Sequence, residues 1–195
     1  MTIAADATPL SPPMTAVPPH TPEEILALEA EDGLFELVEG RLVEKVMSGL
    51  SNLVAGAFTT EFTLWTRQHG GYVMPEQGYQ CFVHEPTRVR RPDVSLVLAG
   101  RINADALVKG HVMVRPDVVV EVVSPNDLAE ELAAKLEDYR LAGIPLVLVA
   151  FPSTRSVEAR RVGGAVEVLR EGDLLTADAT LLGFSVRIAD LFPPK

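Results

Sequence analysis

The segment PDVVVEVVSPNDLAEELAAKLEDYRLAGIPLVLVAF, residues 116–151, constrains the chain more than any other. Val118 to Val123 is apolar on both faces apart from Glu121, the pattern of a strand covered on each side. A helix is expected from Asp127 to Ala142. Asp127 with Glu130 offers a capping box, Leu128, Leu132, Leu136 and Tyr139 make an apolar stripe, and Gly143 with Pro145 ends it. PLVLVAF then reads as a second strand. Strand, helix and strand form a β-α-β unit, whose right-handed crossover sets the two strands parallel and close together.

The flanking segments fit around this unit. Thr21, Pro22 and Glu24 supply the cap, first turn and capping-box partner of a short helix. FELVEGRLVEKV alternates around Glu39-Gly40 as a hairpin does. Apolar residues from Leu50 to Trp65 recur every three or four positions, predicting a helix over Ser48 to His69 closed by Gly70-Gly71. GYVMP, GYQCFVH and DVSLVLA are strand candidates, and residues 100–115 a loop with a helical turn. TRSVEARRVGGAVEVLR is a hairpin around Gly163-Gly164, and DLLTADATLLGFSVRIADLF a short strand with a closing segment. The sum is an α/β sandwich: a central mixed β-sheet flanked by helices, with an N-terminal helix and hairpin added. Residues 1–22 are proline-rich, carry no Lys or Arg, and read as a flexible tail, which leaves 23–195 as a single domain.

Composition narrows the function. The formal net charge of −10 argues against a protein that coats nucleic acid non-specifically. Residues 86–115 nonetheless concentrate Arg88, Arg90, Arg91, Arg101, Lys109 and Arg115 against Asp93 and Asp105, either as solvated surface or as a basic flank. The single Cys81 excludes an internal disulfide and suits a reducing cytoplasm. Four dispersed histidines lack the spacing of a structural zinc site. No window is apolar enough to span a membrane, and the N-terminus lacks the pattern of an export signal. Neither a glycine-rich phosphate loop nor a G-x-S-x-G nucleophile turn is present.

Glu121 is therefore the residue to explain. It shares a strand face with Val119 and Val123, and a carboxylate desolvated there costs more than one further valine would contribute. A metal cation or a lysine can compensate it. Asp93 opens the strand of RRPDVSLVLA, and if the two strands pair, its carboxylate approaches Glu121. Two such ligands on rigid strands suit Mg²⁺, with Mn²⁺ as a substitute. Lys135 borders the helix stripe and reaches either Glu131, four residues earlier, or over the sheet edge toward Glu121; Tyr139 lies one turn on, filling core or supporting it.

FELVEGRLVE, RRPDVSLV, RPDVVVEVVSPND, the K-x-x-x-Y of Lys135 and Tyr139, AGIP and LLGFSVRIADLF together resemble the "putative restriction endonuclease" family found in cyanobacteria and other bacteria, within the PD-(D/E)XK nuclease superfamily. The resemblance spans nearly all of residues 23–192 and implies a restriction endonuclease-like sandwich and a metal-dependent DNA endonuclease. It implies Asp93 and Glu121 as the metal-binding acids, Lys135 as the basic group, and Glu44 as an extra glutamate with Glu36 behind it. Arg88, Arg90 and Arg91 are candidate phosphate contacts, DNA is the expected substrate, and double-strand cleavage would call for a homodimer. Val123 stands where the superfamily places a lysine, Phe151 where family members usually have an aspartate, and the early helix has no histidine. Two other readings remain: a catalytically inactive nuclease-like binding or assembly protein with a Glu121–Lys135 ion pair, and a metal-dependent hydrolase of another phosphate ester.

Overall fold

The computed structural model describes residues 20–194 apart from Lys109 and Asn126, so residues 1–19 of the tail expected over 1–22 lie outside the described residues. Residues 20–22 belong to the folded part: the His20 N–H donates to the Gly40 carbonyl at 3.0 Å. Helix α1, Pro22–Asp32, has the anticipated capping box, with the Glu24 N–H donating to Thr21 Oγ1 and the Thr21 N–H to Glu24 Oε2. Strands β1, Phe35–Val38, and β2, Arg41–Glu44, form the anticipated hairpin. Its two turn residues, Glu39 and Gly40, both have positive φ (51° and 75°), as a tight turn matched to strand twist requires.

Helix α2, Gly49–His69, is followed by a six-stranded sheet of order β3-β4-β5-β6-β7-β8. Its strands are β3 (Tyr72–Pro75), β4 (Val94–Val97), β5 (Val118–Val122), β6 (Leu146–Phe151), β7 (Ser156–Arg161) and β8 (Glu167–Arg170). Only β5 and β6 pair in parallel, and helix α3, Ala129–Leu141, joins them as the β-α-β unit requires. The alternation of each strand sorts its side chains into two layers. Val94, Leu96, Val118, Val120, Leu146 and Leu148 meet Val54, Phe58 and Phe62 of α2. Val97, Val119 and Val147 face the other way, toward Tyr79, Phe82, Ile144 and Tyr139 of α3. This is a mixed sheet between helices, a restriction endonuclease-like sandwich. Among the described residues no helix is long and apolar enough to cross a membrane.

Four expectations need correction. GYQCFVH is not a strand: β3 already occupies the edge beside β4, and this segment instead crosses the α3 face, touching the ladder pattern only where Tyr79 bridges Arg90 and Val112. Asp127 does not cap α3; its Oδ2 accepts from the Ser124 N–H at 2.8 Å, and the helix starts two residues later without a side-chain cap. The stripe of α3 is not wholly apolar either, since Leu128 is exposed and its buried members are Asp138 and Tyr139. The helix faces a charged cluster there. The closing segment holds two strands where one was expected, β9 (Leu174–Thr176) and β10 (Ser185–Arg187), paired antiparallel.

Phe62 is fully buried, with ring centroids 6.0 Å from Phe58 and 5.2 Å from Phe184. Phe62→Ala is expected to lower unfolding free energy by about 3–5 kcal/mol in urea denaturation. A loss below about 1 kcal/mol would mean that α2 does not pack on the sheet in this way.

Candidate active site

Strand register brings three acids to one level. Val94 lies across from Val120, so Asp93, the residue before β4, falls opposite Glu121. Pro75 lies across from Val94, so Glu76 in turn falls opposite Asp93, and its N–H donates to the Asp93 carbonyl at 3.2 Å. Asp93 and Glu121 are both buried, at 4% and 5% exposure, which makes their partners decisive.

Each acid is held by its own lysine, and these are two of the four lysines in the chain. Lys45 Nζ lies 2.7 Å from Asp93 Oδ1, while Asp93 Oδ2 accepts the Val122 N–H at 2.5 Å. Lys135 Nζ donates to Glu121 Oε2 at 3.2 Å, and the Tyr139 hydroxyl donates to Glu121 Oε1 at 2.6 Å. Lys135 also lies 2.9 Å from Glu36 Oε1, so it bridges β1 and β5 and has no need of Glu131. Behind it, Arg90 donates to Glu36 at 3.0 Å and to Asp138 at 2.7 Å, and Arg88 reaches the same Asp138 at 2.5 Å.

These contacts revise the expected assignments. Asp93, Glu121 and Lys135 are brought together, and Tyr139 supports Glu121 directly. Glu44 is not in the cluster: residues 36, 43 and 45 share one face of the hairpin, and alternation turns residue 44 away to the exposed rim. Glu36 takes the inner place. Arg90 and Arg91 are buried struts at 3% and 5% exposure, not solvated surface. Arg91 reaches Glu29 and the Glu76 carbonyl, and Arg101 is spent on Asp117. Lys45 and Asp138 escaped the sequence reading. The signal for Lys45 was its position two after Val43 on the Glu36 face; for Asp138, its place three after Lys135 on one helix face.

Burial and pairing compete at every ionisable group. Burial acts to lower the Lys135 pKa, but Glu121 and Glu36 outweigh it and hold the ammonium charged. Burial likewise acts against charge on Lys45, and Asp93 and Glu121 prevail, so its pKa is raised. For Glu36 the pull of Lys135 and Arg90 overcomes burial and its pKa is lowered. Glu121 goes the other way: burial, assisted by Asp93 and Glu36, outweighs both lysines and raises its pKa. Glu76 is pushed up to about 7, chiefly by burial. Both of its oxygens are buried without a close hydrogen bond, and its nearest cation is Lys45, an ion pair at 3.4 Å from Oε2.

A cavity of about 420 Å³ opens onto this cluster between the β1–β2 hairpin, the end of β5 and the first turns of α3. Its inner wall carries Glu36, Asp93, Glu121, Lys45 and Lys135, and its exposed rim Glu39, Glu44, Asp127 and Glu131 against Arg41. The donor set is all oxygen and suits a hard cation such as Mg²⁺, and the Glu76 oxygens, buried without a hydrogen bond, add to that fit. Among the described residues, however, no three His, Cys, Asp or Glu side chains converge as a metal centre in this arrangement.

A family model described as "Uma2: Putative restriction endonuclease" matches residues 22–189. Among solved structures, the chain is similar to a protein from Anabaena variabilis ATCC 29413 described as a putative nuclease belonging to DUF820. The two are 20% identical with a TM-score of 0.74, covering 89% of this chain and 98% of that one. At that identity the likeness concerns the fold. No curated protein matches the chain.

The raised pKa of Glu76 has a thermodynamic consequence. Between about pH 4.5 and 7 the folded protein retains a proton that the unfolded chain has released, so this group makes stability fall as pH rises through that window. Glu76→Gln removes the titration. Its melting temperature relative to the native protein is expected to be higher at pH 8 than at pH 5, measured by thermal denaturation; an advantage independent of pH would contradict the burial of this carboxylate.

Proposed function

Because the chain belongs to the Uma2 family and has the fold of PD-(D/E)XK-like nucleases, we propose that it is a metal-dependent endonuclease hydrolysing phosphodiester bonds in DNA. The observation that carries this reading is the meeting of Asp93 and Glu121 at one cross-strand position, with Lys135 arriving from the crossover helix 3.2 Å from Glu121. Asp93 and Glu121 would hold Mg²⁺, or Mn²⁺ in its place, with Glu76 as the further acid within reach. The ion supplies Lewis acidity toward a phosphate oxygen and an attacking water.

The chain's own residues then divide the remaining work. Lys135 stays an ammonium, so it serves as a fixed positive charge for the oxygens of the pentacovalent phosphate and not as a proton acceptor. Glu36 and Glu121 hold that ammonium from two elements, which fixes where its charge lies. Glu121 would act as a ligand to the ion, its carboxylate already held by Lys135. The Tyr139 hydroxyl orients its carboxylate. Glu44 is assigned no role beyond the rim. The acidic rim repels a bare phosphate backbone, so DNA association depends on the cation as well as on the protein. Cleavage of both strands would take two copies of the site, in a homodimer.

A second reading is favoured by one observation: all four carboxylate oxygens of Asp93 and Glu121 already have partners within the chain. On that reading the protein keeps the fold for binding or assembly without catalysis. Supercoiled-plasmid nicking in Mn²⁺ separates the two. Native protein should nick, and Glu121→Gln and Lys135→Met should each reduce the rate by at least about 10²-fold. Nicking that is absent from the native protein, or equal in all three, removes the catalytic reading. Turnover of a small phosphodiester without action on DNA would assign another phosphate ester as substrate.

A further inference from the structure

We propose that Lys45 is the resident cation of this site, and that a divalent ion enters only by displacing its ammonium. The surroundings of Lys45 Nζ are those of a bound hard cation. Asp93 Oδ1 lies 2.7 Å away, Glu76 Oε2 3.4 Å away, and the Arg91 carbonyl accepts a hydrogen bond from it. These three oxygens come from three separate positions in the chain, and all are of the kind that Mg²⁺ takes. The Arg91 backbone is anchored one peptide unit earlier, where its N–H donates to Glu36 Oε1 at 2.9 Å. The stem of Lys45 is anchored too, since its N–H donates to the Leu34 carbonyl at 2.8 Å just beyond the hairpin ladder.

Glu76 supplies the independent observation that this cradle fits its occupant poorly. Its two oxygens are buried with no hydrogen-bond partner, although an ammonium stands beside them. The ammonium donates to the Arg91 carbonyl, stands 2.7 Å from Asp93 and meets Glu76 only as a longer ion pair at 3.4 Å. A divalent ion, with twice the charge and six or more coordination positions, can engage Asp93 and Glu76 together. Lys45 therefore holds the acids in place and neutralises part of their repulsion while keeping the same oxygens from metal. Lys135 cannot substitute for it, because that ammonium is committed to Glu36 and Glu121.

The inference rests on reading these acids as cation ligands, and it is tested by metal binding without nucleic acid. Mn²⁺ is titrated calorimetrically into native protein, Lys45→Met, Lys45→Arg and Lys45→Met with Asp93→Asn, and the melting temperature of each is followed with and without Mn²⁺. Lys45→Met is expected to bind one Mn²⁺ at least tenfold more tightly than native protein and to be raised in melting temperature by it. Lys45→Arg, which retains a cation, should behave as native, and Asp93→Asn should abolish the gain. If Lys45→Met does not accumulate folded, Lys45→Gln makes the same comparison. Native protein binding Mn²⁺ as tightly as the Met or Gln variant overturns the proposal, as does a folded variant that binds none. Nicking by a native protein whose affinity equals that of Lys45→Met would overturn this inference alone. A gain of Mn²⁺ binding with no nicking in either protein would overturn the catalytic reading alone.

Discussion

The compensation of buried charge governs this structure. Glu36, Asp93, Glu121 and Asp138 are all removed from water, and each is matched by a lysine or arginine that reaches it from a different element. A buried ion pair contributes little net stability over an apolar pair of the same volume, yet losing one partner costs about 3–5 kcal/mol, because the other charge is left stranded. The cluster is therefore better understood as specification than as adhesive. Lys135 ties α3 to both the hairpin and β5, and Arg90 ties the segment before β4 to the hairpin and α3. Any sliding of these elements would unpair several charges at once.

The same network sets what chemistry is available. The sheet alone would present a row of repelling carboxylates, Glu76, Asp93 and Glu121, at one level across adjacent strands. Two lysines make that row tolerable, and they make it inequivalent. Glu36, close to Lys135 and Arg90, is pushed toward the charged form, while Glu121 and Glu76 are pushed toward the protonated one. Groups of one chemical type are thus separated in strength by their neighbours. The apolar layer under α2 contributes nothing to this directly. Its part is to keep β4 and β5 in register, since a shift of one residue would turn Glu121 into the layer of Phe58 and Phe62.

Much of this could be read from individual residues. Glu121 was conspicuous because Val118 to Val123 is otherwise apolar, and Asp93 because it begins a strand after proline. The path from β5 through α3 to β6 follows from periodicity and from Gly143-Ile144-Pro145, and local pattern suffices for it because neighbouring residues share an element. Tyr139 and Lys135 could be placed on the right helix face by the same means. What failed was partner choice. Arg90 and Arg91 look like surface bases in the chain, yet they are buried against Glu36, Asp138 and Glu29, residues about fifty or more positions away. Glu44 and Glu36 were hard to rank, because alternation reveals that they face opposite ways but not which face meets the sheet.

The sequence by itself determined the order and type of the principal elements, the hairpin turn at Glu39-Gly40, the parallel crossover and the two acids that the site is built on. These depend on short-range periodicity and on turn residues whose effect is local. Only the tertiary structure decided that Lys45 stands between Asp93 and Glu76, that Lys135 joins Glu36 to Glu121, and that the arginine-rich segment is interior. Those outcomes turn on which charges come within a few ångströms after strand pairing, and Coulomb energy in a dry interior depends on that distance and on burial, neither of which is a property of the linear chain.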